Sequence, residues 1–170
     1  MESKPLTNKA SFTPEEWKQV VGGAFMAGFA ITAADPSGLW GLLKETFASG
    51  RAFAEVKFSD TANELIKAIV GDLEASEGRT AGRDYVKGRM EGAKREELKV
   101  RAIEAVRQAA SIVDAKAPID AAAYKEWLLH ISQNVAEASK EGGFLGFGGV
   151  AVSDAEKATL SEIRTALGRP

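Results

Sequence analysis

Few residues in this chain have the type and spacing to do chemistry. Residues 142–152 read GGFLGFGGVAV. Gly146, Gly148 and Ala151 match the form GxGxxA, which binds a dinucleotide when it follows a strand and opens a helix, so that backbone amides meet the pyrophosphate. Here the preceding residues, ASKEGG, read as the end of a helix, and no βαβ unit surrounds them, so the context needed for that chemistry is missing. A phosphate-binding P-loop is excluded because no Lys-Ser or Lys-Thr pair follows the glycines. What remains is an alternation of Gly143, Gly146, Gly148 and Gly149 with Phe144, Leu145 and Phe147. Glycines permit tight turns and positive φ. The three large apolar side chains must then either fold back as a plug in the core, form an apolar surface for a partner protein, or gate a ligand. The reading carried forward is a partner-binding surface, because exposed apolar clusters of this kind mark contacts.

Other candidates are thinner. The chain has no cysteine and one histidine, His130. This excludes thiol nucleophiles, disulfides, cysteine-held clusters and two-histidine metal sites within one chain. A Ser–His–acid triad would have to use His130 with Ser132 or a distant serine, and no GxSxG elbow is present. Carboxylates occur in scattered pairs, Asp72/Glu74, Glu96/Glu97 and Asp154/Glu156, without the Glu-x-x-His pairs of a di-iron bundle. Residues 79–101 carry eight Lys/Arg against four Asp/Glu, with Tyr85 as their only aromatic. That composition suits a solvated helix face and lacks the stacking partners of a single-strand binder. Net charge is −2 and the isoelectric point about 5.6, which argues against nucleic acid as a partner. No cofactor is implied.

The elements that must position these residues are helical. The chain has 170 residues, 45% hydrophobic and 27% charged, enough for one domain with a real core. Residues 1–10 read as a flexible N-terminal arm, and 11–170 as a single α-helical domain. Thr13, Pro14 and Glu16 form a helix start with a capping box, stapled by Phe12 and Trp17. Apolar and small residues then recur at the helical period to 34, and the faces Gly23/Ala27 and Ala24/Gly28 predict the close approach of another helix. A second helix is expected over 36–50, opened by Asp35-Pro36. A third is expected from Ser59 or Asp60 to just before Gly78, and a fourth from Thr80 to Gly92. Further helices are expected over 95–115, from Asp120 to Gly142, and from Ser153 to Gly168, the last with a Ser153/Glu156 capping box. The fold class is therefore all-α, a single compact multi-helix bundle of about seven helices with short loops. Only residues 150–152 have extended character. The long uncharged stretch at residues 20–34 is too short and too rich in glycine for a membrane span, so it reads as a buried helix rather than a membrane or export segment. A reducing, cytoplasmic setting fits the missing cysteines.

Two stretches taken together carry a resemblance. AADPSGLWGLLKE at 33–45, with KEWL at 125–128, EGGFLGFGG at 141–149 and VSDAEK at 152–157, resembles a set of small uncharacterised bacterial proteins. The resemblance implies a helical fold and a bacterial source, with no assigned activity. Ala33-Ala34-Asp35 and Ser153-x-x-Glu156 also resemble elements of the TerB-like helical proteins linked to tellurite resistance, where Asp-Gly stands in place of Asp35-Pro36. That likeness implies a metal-responsive module with contacts at Asp35, Asp154 and Glu156. The expectation for the whole chain is a non-catalytic interaction or stress-associated accessory module, binding a protein partner or a second copy of itself. The alternatives are the metal-responsive module and an enzyme without a recognisable motif.

Overall fold

A computed structural model describes residues 7–34, 63–141 and 152–169. Every regular element among them is helical. A single 3-10 turn, Lys9–Ser11, precedes six α-helices: α1 (Pro14–Ala34), α2 (Glu64–Glu74), α3 (Ser76–Met90), α4 (Arg95–Lys116), α5 (Ala121–Glu141) and α6 (Asp154–Ala166). The all-α class holds. Six helices stand against the expected seven, and the helix expected over 36–50 lies outside the described residues. No described helix is long and apolar enough to cross a membrane.

α1 is the central element. Its sequence is apolar or small on nearly every side, and a helix of that kind must be enclosed. Trp17, Val20, Met26, Ala27 and Ile31 are all buried within it. Its start matches the expected signals. The Glu16 carboxylate accepts the Thr13 N–H at 2.9 Å, and Thr13 Oγ1 accepts the Glu16 N–H at 3.2 Å. The rings of Phe12 and Trp17 meet at 5.6 Å. These bonds satisfy amides that have no partner within the helix.

Helix direction can be read from paired contacts. Tyr124 and Ser132 of α5 reach Val20 and Ala27 of α1, so α5 runs parallel to α1. Ala109 of α4 lies against Gly23, and Lys116 pairs with Glu16 at 3.3 Å, so α4 runs antiparallel to α1. Leu65, Val106, Leu128 and Ile163 bring α2, α4, α5 and α6 into the same hydrophobic core.

The expected N-terminal arm is partly docked. Residues 1–6 lie outside the described set, but Asn8 caps the 3-10 turn, and Lys9 Nζ sits 3.0 Å from Asp72 Oδ2. The same oxygen accepts the Trp17 indole N–H at 2.6 Å. Asp72 thereby ties the chain start and α1 to α2.

The boundary between the third and fourth expected helices is corrected. α2 stops at Glu74 and α3 begins at Ser76, not Thr80. Ala75 is extended (φ −73°, ψ 141°) and serves as both the C-cap of α2 and the N-cap of α3. Gly78 is not a helix stop. It lies inside α3, where a β-carbon would overlap the Asp72 carbonyl. Asn63 caps α2, its side-chain oxygen accepting the N–H groups of Leu65 and Ile66. The Ser59 and Asp60 expected in that role lie outside the described residues.

At the other ends the expectations hold. Ala117, which precedes Pro118, leaves the helical region and closes α4. Gly168 adopts φ +65°, and the bonds from Gly168 N–H to Thr165 and from Arg169 N–H to Arg164 complete a Schellman cap on α6.

Candidate functional site

The expected partner-binding residues Gly143, Phe144, Leu145, Gly146, Phe147, Gly148 and Gly149 lie outside the described residues, as do the GxGxxA match and Asp35. The elements on either side are described. α5 runs to Glu141, and α6 opens with the expected capping box. There the Glu156 carboxylate accepts the Ser153 N–H at 2.8 Å, and Ser153 Oγ accepts the Glu156 N–H at 3.2 Å. Glu156 is therefore buried by its capping work. Asp154, two residues away, is fully exposed and pairs loosely with Lys157 at 3.8 Å. Among the described residues no three His, Asp or Glu side chains converge as metal ligands.

His130 and Ser132 do not form a catalytic pair. Two positions apart on α5, they face different ways: His130 is exposed and Ser132 fully buried. The Ser132 hydroxyl is shared between the carbonyls of Ala27 on α1, at 3.0 Å, and Leu128 on its own helix, at 3.1 Å. It stitches two helices together.

The structure gathers one polar cluster that the spacing did not reveal. Gly22 and Gly23, side by side on α1, each receive a tyrosine from a different helix. The Tyr85 ring of α3 lies against Gly22, and the Tyr124 hydroxyl of α5 lies against Gly23. A β-carbon at Gly22 would overlap the Tyr85 ring. One at Gly23 would come within 2.8 Å of the Ala109 β-carbon. The expected close approach at Gly23 is therefore real, and its partners are Ala109 and Tyr124.

The two hydroxyls differ in their surroundings. Tyr124 Oη donates to the Val20 carbonyl at 2.7 Å. Complete burial, with Tyr85 nearby as a lesser cause, pushes its phenol far above the ordinary tyrosine range. Tyr85 is also buried, and burial raises its phenol against the opposing pull of Arg89, whose guanidinium lies 6.0 Å from the ring centre. The Tyr85 hydroxyl finds no hydrogen-bond partner among the described residues. A buried polar group left so costs on the order of 1–3 kcal/mol. The only sequence sign of this cluster was Gly23, read with Ala27 as a face for the close approach of another helix.

A part-buried polar link joins the starts of α2 and α5. Asn63 Nδ2 donates to Asp120 Oδ1 at 2.6 Å. Asp120, expected as the cap of α5, also accepts the Tyr124 N–H through its backbone carbonyl. The residues of these links hold helices against one another, and a neutral phenol or an amide-bound carboxylate of this kind is poorly placed to attack a substrate. Comparison with protein-family models, curated proteins and solved structures finds no match to this chain.

Proposed function

We propose that this chain is a non-catalytic, cytoplasmic accessory module, a single α-helical domain of about seven helices that binds a protein partner or a second copy of itself through residues 142–152. The observation that carries the reading is the pattern GGFLGFGGVAV, set between two well-formed helices. Three large apolar side chains among five glycines suit an adaptable contact surface better than a packed helix. The described polar interior supports the same reading. Tyr124, Ser132, Asp120 and Glu156 are all engaged in holding or capping helices. Neither nucleic acid nor a membrane is proposed as a partner, consistent with the slightly negative net charge.

The test is Phe144→Ala/Phe147→Ala in the full chain, read by melting temperature, solution mass and recovery of co-purified protein. The expected result is loss of the partner or of the oligomer at an unchanged melting temperature. A lowered melting temperature with partner and mass retained would show that the segment plugs the core, and would overturn the proposal.

A further inference from the structure

We infer that α3 is a strap that opens as a unit, hinged at Ala75 and Gly92, while α1, α4 and α5 stay packed. The inference stands apart from the partner-binding proposal and uses only described residues.

α3 is a polar helix with a thin grip on the core. Gly82 and Tyr85 are its only buried residues, whereas α4 buries seven. Its hold on α1 is a reciprocal interlock. α3 presents Gly82 to the Phe25 ring, and α1 presents Gly22 to the Tyr85 ring. Val86 and Met90 add partly buried contact. A ring seated on a glycine is a close fit, but two rings bury little compared with the continuous apolar seams of the other long helices.

The helix is also intrinsically weak. It contains Gly78, Gly82 and Gly88, and its N-cap, Ala75, offers no side-chain oxygen to the first amides. Besides the contact of Gly78 with the Asp72 carbonyl of α2, its ties include one part-buried and one exposed side-chain bond. Arg89 donates to Gln108 at 2.9 Å, and Arg101 donates to the Glu91 carbonyl at 3.1 Å. The Arg101 bond, being exposed, exchanges readily with water.

The docked state carries a penalty that the opened state would shed. The Tyr85 hydroxyl is buried with no partner among the described residues, and opening would return it to water. Both ends of α3 have backbone suited to a hinge. Ala75 is extended, and Gly92 has φ +69° with open space where a side chain would stand. The opened form would bare the Gly22 and Phe25 side of α1, a surface absent from the closed form.

Native-state hydrogen exchange on the full chain tests this. The expected result is that amides of residues 82–88 exchange through an opening about 100-fold more populated than the one that exposes residues 103–113. Equal protection in both segments would overturn the inference. Tyr85→Phe keeps the ring and removes the hydroxyl that has no partner among the described residues, so protection in α3 should rise about fivefold while α4 stays unchanged. Unchanged or lower protection in that variant would mean the hydroxyl carries no penalty, and would overturn it too. In Tyr85→Ala, α3 should exchange at nearly free rates with α4 still protected. Loss of protection throughout the chain would show that α3 does not open independently.

Discussion

At the scale of single residues, the glycines of α1 and α2 have opposite roles that one substitution separates. Glycine inside a helix costs roughly 1 kcal/mol against alanine, so Gly→Ala should stabilise wherever the new methyl meets nothing. Gly71 on α2 meets that condition, with open space where the methyl would stand. Gly71→Ala should raise stability by up to about 1 kcal/mol. Gly22 does not, because its methyl would overlap the Tyr85 ring. Gly22→Ala should therefore destabilise, by about 1–3 kcal/mol as overpacking does, in the same urea titration. Equal signs for the two variants would refute the close ring-on-glycine fit. The sequence showed part of this. Glycines at helical spacing on α1 marked a close approach, and the structure supplies one at Gly23. The approaching groups were not legible, because Tyr124 meets Val20 from 104 positions away and local spacing carries no such information.

At the scale of elements, legibility followed the chemistry of the caps. The starts of α1 and α6 were readable because Thr13/Glu16 and Ser153/Glu156 carry the side-chain oxygens that helix amides need. The break between α2 and α3 was not, because Ala75 makes it with backbone alone and has no side chain to announce it. Gly78 misled for the complementary reason: its role is to let α3 press against the Asp72 carbonyl, not to end a helix. Asn63 has two roles, capping α2 and donating to the buried Asp120. Asn63→Ala should remove both and leave a carboxylate oxygen short of its partner. The expected loss is roughly 2–4 kcal/mol, against about 1 kcal/mol for Ser153→Ala, where only a cap is removed. Chemical denaturation of the two variants side by side checks this, and a similar loss in both would mean the Asn63–Asp120 bond contributes nothing.

At the scale of the whole molecule, the fold class was legible because helical periodicity and the absence of strand alternation are properties of local sequence. The parallel course of α1 and α5 and the antiparallel course of α4 were not, since they depend on which apolar faces find each other. The candidate site was legible only as a composition, at residues 142–152, all of which except Val152 lie outside the described structure. One consequence of the assembled core can be tested without reference to that segment. The chain has two tyrosines, and burial raises the phenol of both. A raised group favours the folded state in full below its unfolded value of 10.0, and that contribution is lost as pH climbs through the folded value. Glu16 behaves in the opposite sense. Accepting the Thr13 amide, with Lys116 beside it, lowers its carboxyl against a smaller opposing effect of burial, so its contribution is present above 4.5 and fades as pH falls through the lowered value. The alkaline side gives the sharper experiment. Above about pH 10 the unfolded chain ionises both phenols while the folded chain resists. In Tyr85→Phe, whose one remaining phenol is the enclosed Tyr124, phenolate absorbance should therefore appear together with the loss of helical circular dichroism, in one cooperative step. Tyr85→Phe/Tyr124→Phe should move that loss of helix to higher pH, even though losing the Tyr124–Val20 bond costs about 1 kcal/mol at neutral pH. In that Tyr85→Phe variant, phenolate signal rising while the helices remain intact would mean that the Tyr124 hydroxyl reaches solvent in the folded chain, contrary to the enclosed core described above.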